Sequence, residues 1–593
     1  MKRLCSALTR AMSALALMLS PMALSPAAAQ QQLLDYKTIH HPIVDDEAMV
    51  VSQNKLSSEI GARILAEGGN AVDAAVATGF ALAVTLPRAG NLGGSGFMLI
   101  YLAEIDQVVA IDYRSAAPAA AANPSLYLDA KGRRMENADK GHMATGVPGT
   151  VAGLKLAHER WGKLPWEQVV RPAEEIAREG IVVTRDLSEA LRWGRKRLES
   201  SDAAIAAFFK PDGSPYMYGD RLVQPDLAWT LDRIATHGAD DFYRGQIAER
   251  FVADMQANGG LITAADLASY QAKLRAPIAT DYRGYRVVTM PPASSGGVAL
   301  LEMLNMLEGF NLKEMGHNSS STVHILSEVM KLGFADRRKS MGDPDFVENP
   351  VRLLISKAYA AERVKGVSRK RASKPSDILP YDPLANESED TTHYSIADKD
   401  GNIVSNTYTL GSSFGSGVVV EGTGVLLDNQ IRNFSLRVDV PGATFSNSRM
   451  NAIAPGKRML SSMTPTIVFR NDKPYMAVGS PGGSTIINTV LQIILNVVDH
   501  DMNIAEATYA PRFHQNWKPS ELEIERGFNA DTLAILRSMG HEIEVRDTIG
   551  SAQTLLMENG QIHAAADPRR PGSGASGVGN ARIFAEESGA AND

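Results

Sequence analysis

Cysteine is almost missing from this chain of 593 residues; Cys5 is the only one. It lies inside a leader-like segment. The remainder therefore excludes disulfides, thiolate catalysis and cysteine metal sites. No His-Glu-x-x-His sequence occurs, so the common helical zinc signature is absent too. A basic excess is also lacking. The formal net charge is −7, and nucleic acid is not an expected partner. Beyond the leader, no apolar run reaches the ~20 residues of a spanning helix. "TIINTVLQIILNVV" (485–498) is shorter and reads as a buried helix, so no stable membrane insertion is expected.

What is present is ordinary in bulk. Hydrophobic residues make up 44% and charged residues 21%, as in soluble globular proteins. The chain is too long for one ordinary domain and can bury a core large enough to need no disulfide. Its first 29 residues differ in kind. Lys2 and Arg3 precede the apolar "AMSALALMLSPMAL", and "SPAAAQ" sets Ala27 and Ala29 at the positions a signal peptidase reads. We read a secretory signal cut after Ala29, which implies a periplasmic or secreted protein. A membrane anchor is the alternative, and the shortness of the apolar run argues against it.

Along the chain, 56–85 reads as two helices around Gly68-Gly69-Asn70. "NLGGSGFMLIYL" and "QVVAIDYRS" read as a hairpin over 97–114. Residues 147–200 and 222–275 are largely helical in pattern, and 285–307 reads as strand, turn and helix. From 362 to 390, blocks of charge punctuated by Pro375, Pro380 and Pro383 suggest a mobile, solvated segment. After Thr391 the pattern is β-rich: "THYSIAD", "NIVSNTYTL", "GVVVEG" and "GVLLD", with "DKDG" as a hairpin turn. "TPTIVFR" and "PYMAVGS" form another hairpin, and "PGG" (481–483) opens a long helix. The order of elements suggests a layered α/β arrangement.

Two familiar patterns carry little. "GSGASG" (572–577) matches a dinucleotide-binding spacing, but no βαβ unit follows, so it reads as a C-terminal loop. "GSSFG" (411–415) matches a nucleophile elbow centred on Ser413, with His500, His514 or His541 to complete a triad. The residues after it do not read as the helix that motif requires, and a serine hydrolase remains a distant alternative.

The junction "ESEDTTHYS" poses a sharper question. An irregular acidic stretch ends at Asp390 and a strand opens at Thr391. Cutting that bond would give Thr391 its own α-amine as a base, with a reference pKa near 7.7–8.0. The plain alternative is that Thr391 and Thr392 are ordinary strand threonines.

"TTHYSIADKDGNIVSNTYTLGSSFGSGVVVEGTGVLLDNQIRNF" resembles the start of the small subunit of γ-glutamyltransferases, which are N-terminal-nucleophile hydrolases. "GGNAVDAAVATGFALAVTLP", "GNLGGSGFMLIY", "IDYRSAAP", "GVPGTVAGL", "PPASSGGVALLEML", "FADRRKSMGDPDF", "RMLSSMTPTIV" and "GSPGGSTI" resemble further family blocks, in order, over nearly the whole mature chain. The resemblance implies a four-layer αββα sandwich and a precursor cut between Asp390 and Thr391. Its parts would be the signal 1–29, a large subunit 30–390 and a small subunit 391–593, joined as a heterodimer. By the same resemblance Thr391 is the nucleophile for cleavage and catalysis, Thr409 assists processing, and Gly482 and Gly483 form the oxyanion hole. A plain helix-entry turn fits those glycines equally well. Arg114, Ser461 and Ser462 match groups that hold the donor α-carboxylate; apart from the family, Arg114 would read as a surface ion-pair residue. The implied substrates are a γ-glutamyl donor such as glutathione and an amino acid or peptide acceptor, with no cofactor and no metal.

The match breaks where the family holds the donor α-ammonium. Gln430 is kept, but Gly411 stands at an asparagine position and Asn433 at an aspartate position, beside Arg432. Losing one partner of a buried charge pair costs roughly 2–5 kcal/mol, or about 1.5–3.5 orders of magnitude in donor recognition. Ser115 stands where an acidic residue is common, and Ser95 interrupts a glycine run. A glutathione hydrolase or γ-glutamyltransferase with altered donor preference is the favoured reading. A glutaryl-type (cephalosporin) acylase of the same fold is the alternative, and an inert binding protein is disfavoured by the retained Thr391, Thr409, Arg114, Gly482 and Gly483. "SLRVDVPGATFSNSRMN" (435–451) occupies the position of a lid loop, with Phe445 as its gating aromatic.

Overall fold

The computed structural model describes residues 38–378, 390–436 and 449–579. The signal sequence with its cleavage point at Ala29, the acidic residues just before Asp390, and most of the lid segment with Phe445 lie outside the described residues. The two-sheet architecture belongs to the unit that begins at Pro42.

Alternation of side chains builds two stacked sheets. In the strand Ser95–Leu102, Phe97, Leu99 and Tyr101 face one way, and Met98, Ile100 and Leu102 the other. The first set meets Val288, Ile467, Phe469, Ala477 and Leu555 of a second sheet and forms a buried layer between the sheets. The second set packs beneath helices Lys55–Ala66, Ala71–Thr85 and Thr150–Trp161. The second sheet is covered in turn by Ser295–Leu307, Ser320–Ser340 and Thr485–Val498, through Val287, Val468, Met476 and Val478. The layers are helix, sheet, sheet, helix, as the resemblance implied.

Each sheet holds seven described strands, all antiparallel. The first runs in the order Gly574–Gly577, Met49–Ser52, Asp390–Ala397, Ile403–Gly411, Ser95–Leu102, Gln107–Tyr113, Lys273–Arg275. The strand that opens at Asp390 is therefore central. It lies between one strand from early in the chain and its own hairpin partner. Both sheets take strands from either side of residue 390.

Most expected elements form. The turn at Asn70 ends in a capping box: the Asn70 side chain accepts from Val72 and Asp73 N–H groups, and Asp73 accepts from the Asn70 N–H. The expected hairpin pairs Phe97 with Asp112 and Leu99 with Ala110. Two expectations need correction. "GASG" is the edge strand Gly574–Gly577, not a loop, because its backbone completes the exposed side of Met49–Ser52. "GVVVEG" and "GVLLD" join neither sheet; they pair with each other, through Val420 N–H to Val425 O and Leu427 N–H to Val418 O, each at 2.9 Å. The described part of the charged segment is largely exposed, as expected, but it is anchored at intervals. Arg363 pairs with Asp336, Ala372 N–H bonds Met539 O, and Trp517 Nε1 bonds Pro375 O.

Among the described residues, no helix is long and apolar enough to cross a membrane. Phe97 tests the layer between the sheets. Phe97→Ala should cost about 3–5 kcal/mol, read as a fall in the apparent melting temperature. An unchanged value would contradict its burial there.

Candidate active site

The site is built at an irregularity of the central hairpin. Asp390 pairs with Gly411 and Thr392 with Tyr408, so Thr391 faces two residues, Thr409 and Leu410. Such a bulge turns backbone groups out of the regular ladder. Here it frees the Asp390 carbonyl to accept from Thr409 Oγ1 at 2.7 Å, while Thr391 Oγ1 donates to Thr409 Oγ1 at 3.2 Å. The Gly411 N–H donates to the same Thr409 oxygen at 2.9 Å. Both threonines are buried. His393, two residues on, bonds Thr407 and Ser395 instead, and burial pushes its pKa down to about 3. It stays neutral and does not bond Thr391.

From Thr409 a hydrogen-bonded path runs through most of the predicted residues. Gln430 Nε2 donates to Thr409 O (3.2 Å), Ser95 Oγ (2.8 Å) and Asp428 Oδ2 (3.1 Å). Arg114 Nη1 reaches Ser95 Oγ at 3.3 Å, and its other nitrogens donate to the carbonyls of Met459 and Leu460. Arg114 is thus a buried residue, not a surface one. Ser461 and Ser462 follow directly. Ser461 Oγ accepts from Met463 N–H, and Ser462 Oγ donates to Gly483 O at 2.7 Å. Gly482 and Gly483 have φ of +130° and +58°, a region that favours glycine. Among the described residues neither of their N–H groups has a partner, while their carbonyls accept from Thr485 and Ile486. They open the helix Thr485–Val498, the arrangement that directs N–H groups toward negative charge.

Asn433 stands apart from this path. It ends the short helix Gln430–Asn433, and its Oδ1 has no partner among the described residues. Gln430 Oε1 is likewise unpartnered. Gly411 has φ +94°, and a Cβ there would lie 2.2 Å from Asn429 Oδ1. An asparagine at 411 would therefore be strained and blocked. Arg432 is paired with Asp139, a carboxylate that also holds Arg197.

Sequence reasoning missed Asp428. This carboxylate is fully buried beside Gln430 and accepts from Ser115 Oγ, the Gly146 N–H and the Gln430 N–H. In the sequence Ser115 and Ser95 stand out only as departures from the family; together with "LLDNQ" they are the signal that could have found it. The structure places an anion next to Gln430 after all, contributed from behind it by Asp428 rather than by residue 433.

Ser413 assembles no triad. Its Oγ has no partner among the described residues, while His514 bonds Asn488, His541 bonds His324, and His500 meets His317 edge to face. The chain after it turns instead of entering a helix. Among the described residues, one His/Glu group has ligand-like spacing: His324, Glu328 and His541. His324 bonds His541 at 2.8 Å and Ser368 O at 2.7 Å, and Glu328 is held by Lys331 and the Ser373 N–H. With an ammonium on its carboxylate and its imidazoles bonded to each other, this group serves as a staple for residues 368–373.

Residues 57–577 match the family model described as gamma-glutamyltranspeptidase. The chain belongs to that family. It is 45% identical over 535 residues to the glutathione hydrolase proenzyme of Escherichia coli (strain K12), covering 90% of this chain and 92% of that one. It is 39% identical over 519 residues to the acylase ACY 1 proenzyme of Pseudomonas sp. (strain SE83), covering 86% and 90%. In three dimensions it resembles the cephalosporin acylase from Bacillus halodurans, with a TM-score of 0.82 and 30% identity over 92% of this chain and 98% of that one.

Burial pushes the Asp428 carboxyl up to about 6, against the pull of Ser115, the Gly146 and Gln430 N–H groups and Arg114. Unfolded aspartates titrate near 3.9. The folded chain therefore holds this proton more tightly, and the group destabilises the fold as pH rises from about 4 to about 6. Melting temperatures of Asp428→Asn and wild type, compared from pH 4 to pH 7, should shift in favour of the variant as pH rises. A constant difference would contradict the raised carboxyl.

Proposed function

We propose that this chain is a precursor that cuts itself between Asp390 and Thr391, and that Thr391 then cleaves γ-glutamyl amides such as glutathione. The observation that carries this reading is the hydroxyl relay from Thr391 through Thr409 to the Asp390 carbonyl. It supplies both a route for the attacking proton and a donor to the developing oxyanion, with no histidine.

In the precursor, Thr391 Oγ1 adds to the Asp390 carbonyl carbon, and its proton passes through Thr409 to the carbonyl oxygen. Collapse breaks the C–N bond, returns the proton to nitrogen and leaves Asp390 as an ester on Thr391. Water opens the ester. Thr391 now carries a free α-amine, partly neutral near pH 7, which takes the hydroxyl proton in each turnover. The donor amide gives an acyl-enzyme and expels its amine. Water, or the amine of an amino acid or peptide, then resolves the ester. Gly482 and Gly483 hold the oxyanion of these steps. The scheme calls on no cofactor.

Arg114, Ser461 and Ser462 take the donor α-carboxylate, a planar cation and two hydroxyls suiting a carboxylate. Gln430 has its amide nitrogen committed to three acceptors, so it offers Oε1 to an ammonium, with Asp428 supplying negative field from behind; Asn433 Oδ1 is a second unpartnered acceptor for it. The two fragments, 30–390 and 391–593, stay together because each sheet is shared across the cut. The leader directs the protein to the periplasm or outside the cell.

Thr391→Ala should abolish both chain cleavage and turnover. Thr409→Ala should slow cleavage about 10²–10³-fold, the usual cost of one oxyanion donor, with Thr409→Ser close to wild type. Gels and N-terminal sequencing read the outcome, and full cleavage in Thr391→Ala would sink the scheme.

A second reading, a glutaryl-type acylase, is favoured by the absent side chain at Gly411 and by the uncharged Asn433. The ratio of kcat/KM for γ-glutamyl- and glutaryl-p-nitroanilide decides between them. We expect γ-glutamyl to be preferred, and a glutaryl preference would make the acylase the better description.

A further inference from the structure

The residue before the proposed cut is gripped from its side-chain end. Asp390 Oδ1 lies 2.8 Å from Arg88 Nη1 and 3.5 Å from Arg570 Nη2. Arg88 is almost wholly buried. Its other two nitrogens form a fork on Asp186, Nε to Oδ2 at 2.9 Å and Nη2 to Oδ1 at 3.0 Å. That fork fixes the guanidinium plane and leaves one donor edge for Asp390. Asp186 sits in the first turn of the helix Arg185–Leu198, and Arg570 approaches it as well, at 3.8 Å. Two arginines and two aspartates thus form a charge-balanced quartet around the side chain of residue 390.

The backbone around Arg88 is tied to the opposite side of the same reaction. The Arg88 carbonyl accepts from the Phe414 N–H at 2.9 Å, and the Ala89 carbonyl accepts from the Leu410 N–H at 3.2 Å. Leu410 follows Thr409 directly. A single loop therefore holds the end of the strand that carries the relay hydroxyl and, through its arginine, the residue whose carbonyl that hydroxyl must reach. In a bulged hairpin, where the ladder no longer fixes residue 391, such an external reference sets where the Asp390 carbonyl points.

We propose that Arg88, oriented by Asp186 and assisted by Arg570, is a positioning clamp for self-processing: it holds the Asp390 carboxylate so that the scissile carbonyl faces Thr409 and Thr391. The clamp acts on the uncut chain. It rests on the assignment of Thr391 as the residue that attacks, and it adds a side-chain requirement at position 390.

The test follows cleavage of full-length precursor made by cell-free synthesis, with intact masses locating the break. Asp390→Asn and Arg88→Met should each lengthen the half-life about tenfold or more. The double variant should be no slower than the slower single one, because both remove the same interaction. Uncut Thr391→Ala counterparts separate positioning from folding: the Asp390→Asn change should leave the melting temperature of that precursor within a few degrees. Cleavage of Asp390→Asn at the same bond within about twofold of the wild-type rate would overturn the clamp, whether or not Arg88→Met folds. So would slowing that is fully additive in the double variant. A wild-type break at some other bond would instead overturn the assignment of Thr391, a distinct failure.

Discussion

A mismatch of one residue in an otherwise regular hairpin governs this protein. Strands Asp390–Ala397 and Ile403–Gly411 keep strict register from Thr392 onward, then lose it where Thr391 faces both Thr409 and Leu410. In a regular ladder the Asp390 carbonyl would bond a backbone N–H of its partner. The bulge hands it to a side-chain hydroxyl instead. A hydroxyl both donates and accepts, so it can join a second hydroxyl to a carbonyl in one relay. The surrounding structure holds that irregularity: central strands on both sides, a buried arginine on one residue, and a glutamine on the carbonyl of Thr409.

The pocket beyond the relay is organised by charge. Arg114 is buried among carbonyls and Ser95, and Asp428 is buried a short distance away with four hydrogen-bond donors around it. Burying either charge alone would be costly, and each lowers the cost of the other. Gln430 lies between them through Ser95, which explains why its amide is held in one orientation. Asp428 is the centre of a local hydrogen-bonded group. Ser115 belongs to it, since a hydroxyl there donates to Asp428 where a second carboxylate would repel it.

Segments with a solvated pattern turn out to be structural where they meet a partner distant in sequence. Residues 368–373 are pinned by His324, Glu328 and Lys331, and Ala372 bonds Met539. Charge blocks and prolines describe how a stretch behaves in isolation; they carry no information about a groove made elsewhere. The "GSGASG" stretch becomes an edge strand for the same reason. Its backbone has a free strand edge to satisfy, and glycine and serine offer no side chain to prevent it.

Local chemistry decided much by itself. An apolar run after a glycine-rich loop pointed to the strand at 95–102, turn residues to the hairpin turns, the Gly68-Gly69-Asn70 break to two separate helices, and the order of motifs along the chain to the family and to Thr391, Thr409, Arg114 and the two glycines. Those signals are short-range or lie within single motifs, so the order of residues is enough to carry them. The bulge at 391, the anion at 428, the obstruction at Gly411 by Asn429 and the grip of Arg88 on Asp390 were settled only by tertiary structure. Each depends on atoms separated by tens to hundreds of residues, or on a register shift of one position, and neither composition nor periodicity encodes such distances.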